Sequence, residues 1–308
     1  MKPNIVPGRT LLPLILTLAL IGMAFIEPNF VLADSGQDGE RILTTGAVIL
    51  NRYARVTAVS GNTITVTDIT LLDDTADDHY TNDILSSGDL LLIYEAQGAS
   101  FTSVTDDATY GAFMYGQAGV YEFAVVENVT GNDITVSSTN TPPYSCSGIT
   151  GTYDTLEGNV QVVRVPQYTN LTIQSGATVT ALPWDGETGG IIALHVQNNL
   201  TVDGTIDASA LGFRGGASNN VGVIIRGVTL FRSTSSENGG EKGESILGDS
   251  FVYDAQNGRY GRGAPANGGG GGNAHNAGGG GGANGYSGGV WTAGQGFVDS
   301  ADSYAAAW

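Results

Sequence analysis

Leu171–Ala181 reads LTIQSGATVTA, and 29 residues further on Leu200–Ala210 reads LTVDGTIDASA. Each is a pair of short runs in which apolar residues alternate with Thr or Asp, joined at a small polar corner. VQVVRV (Val160–Val165) precedes them and IIALHVQ (Ile191–Gln197) lies between them. Strands of three to six residues ended by tight polar corners suit the rungs of a parallel β-solenoid, where each strand stacks on its equivalent in the next coil and apolar side chains fill the bore. A second antiparallel sandwich is the competing arrangement. The solenoid is preferred because the runs are short and no two-residue hairpin joins them.

Upstream the rhythm differs. Val56–Asp68, VTAVSGNTITVTD, alternates around Ser60-Gly61-Asn62, and Val126–Ser138, VENVTGNDITVSS, repeats it at seven of thirteen positions. Both are hairpin signals. Asp89–Glu95, DLLLIYE, is continuous enough for a strand buried on both faces. The expected core of this region is Leu90, Leu92, Tyr94, Phe123 and Val125. Downstream of Leu211 the chain turns glycine-rich, through GFRGG (Gly212–Gly216) and ENGGEKGE (Glu237–Glu244). It culminates in ANGGGGGNAHNAGGGGGAN (Ala266–Asn284). Val221–Phe231, VGVIIRGVTLF, is the last good strand pair.

Five-glycine runs cannot build an apolar core. Aromatic residues persist after them, which a plain flexible linker would not need. Ordered polyglycine helices bonded sideways to neighbouring segments are therefore expected, with a disordered linker as the alternative. The whole is mostly β: a signal peptide over 1–33, an antiparallel β-domain over 34–159, a short parallel β-solenoid over 160–231 and a Gly-rich section over 232–308.

The N-terminus has a secretory pattern. Lys2 and Arg9 precede apolar Leu11–Ile26, and Val31-Leu32-Ala33 offers a small residue before a cut after Ala33. Sixteen residues containing Pro13 fall short of the ~20 of a spanning helix, so no membrane span is expected in the mature chain. The chain's net charge is −18; losing Lys2, Arg9 and Glu27 leaves 10 basic and 29 acidic residues, or −19. That balance excludes nucleic acid as a partner, because phosphate contacts need basic groups. The lone Cys146 excludes an internal disulfide or a cysteine-rich metal cluster.

Several stretches together resemble a group of secreted bacterial surface proteins of adhesin or gliding-associated type. They are GDLLLIYEAQGAS (Gly88–Ser100), YEFAVVENVTGNDITV (Tyr121–Val136) and the run Val160–Gly216, followed by the glycine tracts. The resemblance implies a β-helical section carrying Gly-rich insertions and a structural role at a cell surface. With no sorting segment before Trp308, it is read as a compact secreted subunit that assembles with copies of itself.

Candidate chemistry is sparse. Asp185, Glu187, Asp203 and Asp207 could serve a polysaccharide lyase or hydrolase, but Asp185-Gly186 and Asp203-Gly204 read equally as corner turns. No enzyme is expected. The cluster Asp73, Asp74, Asp77, Asp78 and His79 could offer oxygens to Ca2+, yet it lacks the spacing of a calcium loop; no other cofactor is indicated. Asn128, Asn170 and Asn199 sit in N-x-Ser/Thr triplets.

The expected role is an extracellular fibre, sheath or adhesive surface built by self-association. The alternatives are a monomeric carbohydrate-binding adhesin using exposed aromatics and, third, a polysaccharide-cleaving enzyme. The expected partners are copies of the chain and surface polysaccharide. The residues expected to carry assembly are Gly268, Gly269, Gly270, Gly271, Gly272, Gly278, Gly279, Gly280, Gly281 and Gly282, with Tyr286, Trp291, Phe297 and Trp308.

Overall fold

Two strand systems interleave along this chain. The structure, a computed structural model, describes residues 36–138, 148–220, 230–272 and 279–280, all within the unit Val31–Trp308. The expected signal segment, Cys146 and most of Val221–Phe231 lie outside them. β1 (Glu40–Leu43) and β2 (Gly46–Ile49) come first, followed by the hairpin β3 (Arg52–Ser60) and β4 (Thr63–Val66). After a 3-10 turn at Ile69–Leu72 come β5 (Leu90–Glu95), the small pair β6 (Ser100–Phe101) and β7 (Phe113–Met114), and the hairpin β8 (Tyr121–Thr130) and β9 (Asp133–Val136). β10 (Val160–Val165), β11 (Gln167–Ile173), β12 (Ala177–Thr180), β13 (His195–Val202) and β14 (Thr205–Ile206) complete the strands, and one short helix, α1 (Ser250–Ala255), follows.

β10, β3, β4, β9, β8 and β5 close into an antiparallel barrel. The two similar hairpins turn at Gly61 and Gly131, both at positive φ, where a side chain would be strained. They share a register shift after Val56 and Val126 and pair with each other through Ile64 and Ile134. A shared bulge and a shared turn explain why the sequences agree. Alternate residues fill the bore, among them Leu91, Ile93, Ala124, Val126, Val160 and Val162.

The expected core of this region has the opposite parity. Leu90 and Leu92 lie on the outer wall, packed with Tyr53, Val163 and Ala193, and Phe123 is exposed. In a run apolar at every position, alternation cannot say which face is inside, and a shift of one residue exchanges them. Val160–Val165, expected as the first solenoid strand, is likewise a barrel strand, antiparallel to β3 and β5. Its residues are buried on both faces, between the bore and the outer-wall cluster.

The parallel solenoid does exist, with three coils among the described residues. β1, β11 and β13 form one parallel sheet; β2, β12 and β14 form the other. Leu171 stacks on Leu200 and Ile173 on Val202, the 29-residue offset read in the sequence. The first coil, placed by sequence in the antiparallel region, precedes the barrel, so the whole barrel is inserted between the first and second coils. Polar corners tie the coils together: Gln174 N donates to Leu43 O, and Asp203 N and Gly204 N both donate to Ile173 O, at 2.8–2.9 Å. Inside lie Leu43, Leu50, Tyr168, Leu171, Ile173 and Val179.

One loop, residues 67–89, closes an end of the barrel and reaches the first coil. Leu72 and Leu85 enter the barrel core. Fully buried Arg164 pairs with Asp89 at 2.9 Å, donates to Leu72 O at 3.1 Å and Asn82 O at 2.8 Å, and lies 4.1 Å over the Tyr80 ring. Tyr80 OH donates to Leu50 O at 2.9 Å, Tyr168 OH to His79 O at 3.0 Å and Arg41 Nη1 to Asp78 O at 2.6 Å. The loop is thereby pinned across the start of the solenoid.

The described part of the glycine-rich section holds almost no regular strand. Gly243 N donates to Gly269 O, Gly271 N to Gly261 O and Gly280 N to Gly270 O, at 2.8–2.9 Å. A Cβ on Gly269 would run into Gly280, and one on Gly271 into the Gly240 carbonyl. Only hydrogen side chains permit that approach, which explains the composition. Lys242 lies buried here, its Nζ donating to the carbonyls of Phe231, Gly261 and Gly263 at 2.6–2.8 Å and sitting 4.4 Å from the Tyr110 ring centroid.

Candidate functional site

The exposed end of the solenoid is the feature that asks for a partner. At the stack position of Leu43 and Ile173, which are 5% and 0% exposed, the third coil carries Val202 at 44%. Val48 and Val179 are followed by Ile206 at 42%, and Leu171 by Leu200 at 47%. These positions face the bore in the second coil, yet nothing among the described residues covers them in the third. β13 and β14 are also edge strands, paired on one side only among the described residues. His195–Val202 contains no Lys, Arg, Asp or Glu, so it lacks the charges that usually guard an edge.

The glycines expected to carry assembly occupy a different place. Gly268, Gly269, Gly270, Gly271, Gly279 and Gly280 pack against main chain of the same molecule, and Gly268 N donates to Pro265 O at 2.7 Å. Gly272 adopts a φ of 79°. Gly278, Gly281, Gly282, Tyr286, Trp291, Phe297 and Trp308 lie outside the described residues.

The carboxylates weighed for catalysis behave as corner residues. Asp185 Oδ1 accepts from Glu187 N and Thr188 N at 2.8 Å, and Asp207 Oδ1 accepts from Ser209 N at 2.8 Å. Glu187 is held by Arg55. Glu187 also lines a cleft of about 820 Å³ with Gln97, Phe101, Asn159, Glu244 and Asp249. Glu244 is already engaged by Arg214 at 3.0 Å. Beside the cleft, Glu95 is buried against Gly98 and Gly158, and burial raises its carboxyl to about 7. A second, more apolar groove of about 340 Å³ runs along the barrel wall. Tyr94, Tyr121, Trp184 and Phe213 line it, the last two edge to face at 5.6 Å.

In the sealing loop, Asp74, Asp77 and His79 converge on Arg52, which bonds to both carboxylates. Burial lowers the pKa of His79. The packing roles of Arg52, Arg164 and Lys242 leave little mark in sequence; Lys242 stands out only as one of just two lysines and the one set within glycines. Burial pushes its ammonium down to about 7, although three carbonyl acceptors and a ring face suit the charged form.

No family model and no curated protein matches the chain, so the resemblance to adhesin and gliding-associated proteins gains no support there. Among solved structures the chain is similar to the tailspike protein gp49 from Pseudomonas phage LKA1. That match is at 16% identity, covering 46% of this chain and 26% of that one, with a TM-score of 0.22. The Pseudomonas phage phi297 tailspike gp61 matches at 10% identity, over 55% and 25%, with a TM-score of 0.23. The Gp54 tailspike of Acinetobacter baumannii bacteriophage AP22, solved with a capsular saccharide, matches at 14%, over 54% and 27%, with a TM-score of 0.22. The chain spans about a quarter of the length of each. Among the described residues no helix is long and apolar enough to cross a membrane.

Proposed function

We propose that this is a secreted structural protein of an extracellular surface that associates with a second copy through the open third coil of its solenoid. The observation that carries this reading is the exposure of Leu200, Val202 and Ile206 at bore-facing positions. Covering them removes apolar surface from water at roughly 25 cal/mol per Å², and a strand laid along β13 would satisfy its edge. The secretory pattern of residues 1–33 and the low charge density support an extracellular setting.

Head-to-tail propagation into a fibre needs two open ends. Leu43 and Leu50 in the first coil are already covered, so two open third coils meeting end to end is the arrangement this geometry favours. Such an isologous contact closes after two copies. The mature chain should therefore show twice its own mass by light scattering, and Leu200→Lys with Val202→Lys should return it to a folded single chain whose melting temperature no longer depends on concentration. A wild-type chain that stays single at high concentration overturns the reading.

A carbohydrate-binding role is the second reading, and the aromatic groove at Tyr94, Tyr121, Trp184 and Phe213 favours it. Such rings present apolar faces to sugars and hydroxyls for hydrogen bonds. Affinity electrophoresis in neutral polysaccharide gels should show retardation that Tyr121→Ala abolishes.

A further inference from the structure

We propose that Asp74, Asp77 and His79 form a binding site for a divalent transition-metal ion of the zinc class within the sealing loop. One donor atom from each residue lies within 4.8 Å of the others. An acidic cluster alone would say little, because exposed carboxylates need no ion. Here the histidine supplies the second observation. His79 is 7% exposed, and its Nδ1 has no hydrogen-bond partner; the nearest carboxylate oxygen, Asp74 Oδ1, is 3.5 Å away. A buried ring nitrogen that faces a carboxylate without bonding to it leaves a polar atom unsatisfied, and an ion held by both would satisfy it.

The frame around these donors is built without the ion. Asp74 Oδ2 accepts from His79 N at 2.6 Å, Asp73 Oδ1 accepts from Leu85 N at 3.0 Å, and Asp74 N donates to Asp83 O at 2.6 Å. Four carboxylates, Asp73, Asp74, Asp77 and Asp78, share this segment with two guanidiniums, Arg41 and Arg52, which pair with three of them. Two negative charges remain over, the complement of a divalent ion. Arg52 holds the carboxylates through Nη2 alone, while its Nη1 donates to Ile49 O and Asn51 O at 3.0 and 3.2 Å. An ion can therefore take the place of Nη2 while Arg52 stays anchored. One imidazole nitrogen and two carboxylates suit Zn2+ or Co2+, whereas Ca2+ takes oxygen donors throughout. The donor set therefore fits a nitrogen-accepting metal better than the Ca2+ to which the acidic run could offer oxygens.

The test is titration of the chelator-treated full chain with Co2+, read by its visible absorption, followed by displacement with Zn2+. One equivalent should bind, and the melting temperature should rise with Zn2+ and fall back with EDTA. Asp77→Asn and His79→Gln should each weaken binding at least about tenfold, and Arg52→Gln should tighten it. Asp77 is 53% exposed, so its variant folds even if a change at His79 does not. Absence of saturable Co2+ or Zn2+ binding overturns the proposal. So does binding unchanged by Asp77→Asn, which would place the ion at another histidine, or Ca2+ binding as tight as Zn2+.

Discussion

At the stack position of Leu43 and Val202 the first and third coils both present an apolar side chain and meet opposite surroundings. Leu43 in the first coil is covered; Val202, two coils along the same stack, is almost half exposed. The difference is not in the strands. It lies in what is laid over them, for the first coil has a loop held by Arg164, Tyr80 and Tyr168, and the third coil has no counterpart among the described residues. A solenoid rung is intrinsically unfinished on both sides, so capping decides where such a structure stops.

Unsealing the closed end should have the largest effect. Arg164→Met leaves Asp89 buried without its partner and frees the carbonyls of Leu72 and Asn82, at a cost of about 3–5 kcal/mol. Chemical denaturation should show the loss, and amide exchange in residues 78–81 should speed up with it. Next comes the direct contrast along one stack. Leu43→Ala should destabilise by about 2–5 kcal/mol, whereas Val202→Ala, half in water already, should cost under about 1 kcal/mol. Equal losses would mean that the third coil is covered in solution.

A change in the barrel gives a control that touches neither coil. Glu95 has a folded pKa of about 7 against an ordinary 4.5. The folded state therefore holds this proton more tightly, and the stability it contributes below pH 4.5 is lost as pH rises through 7. The ceiling on that loss is about 3 kcal/mol. Glu95→Gln should flatten the fall in melting temperature between pH 5 and 8 while leaving association unchanged. A similarly small effect is expected for Tyr168→Phe, which removes one hydrogen bond from the sealing loop and should cost about 1 kcal/mol, with local amide exchange as the sensitive measurement.

Much of this architecture was legible from local pattern. Ser60-Gly61-Asn62 and its repeat marked true hairpins, and the spacing of Leu171 and Leu200 marked true rungs, because turn chemistry and stacking leave periodic traces. What escaped was non-local. ERIL and GAVI (40–49) carry no sign that their partners lie beyond a barrel. VQVVRV looks alike as a rung or as a barrel strand, since both bury such a run. Arg164 is invisible as a clamp because its acceptors are main-chain carbonyls, which have no signature in composition. The open third coil has no signature in local pattern, because Leu200 and Val202 read like the buried residues of any rung.

The insertion of the barrel within the solenoid carries a kinetic consequence. Glu40 pairs with Asn170 and Leu43 with Ile173, so the first coil cannot template the second until the intervening barrel has been synthesised. A polypeptide with such distant pairings folds slowly, since a long loop must close before any contact rewards it. Closure of the six-stranded ring brings the ends of β2 and β11 together and turns that search into a local one. Maturation should therefore run from the middle outward, with the N-terminal rung waiting on strands synthesised long after it.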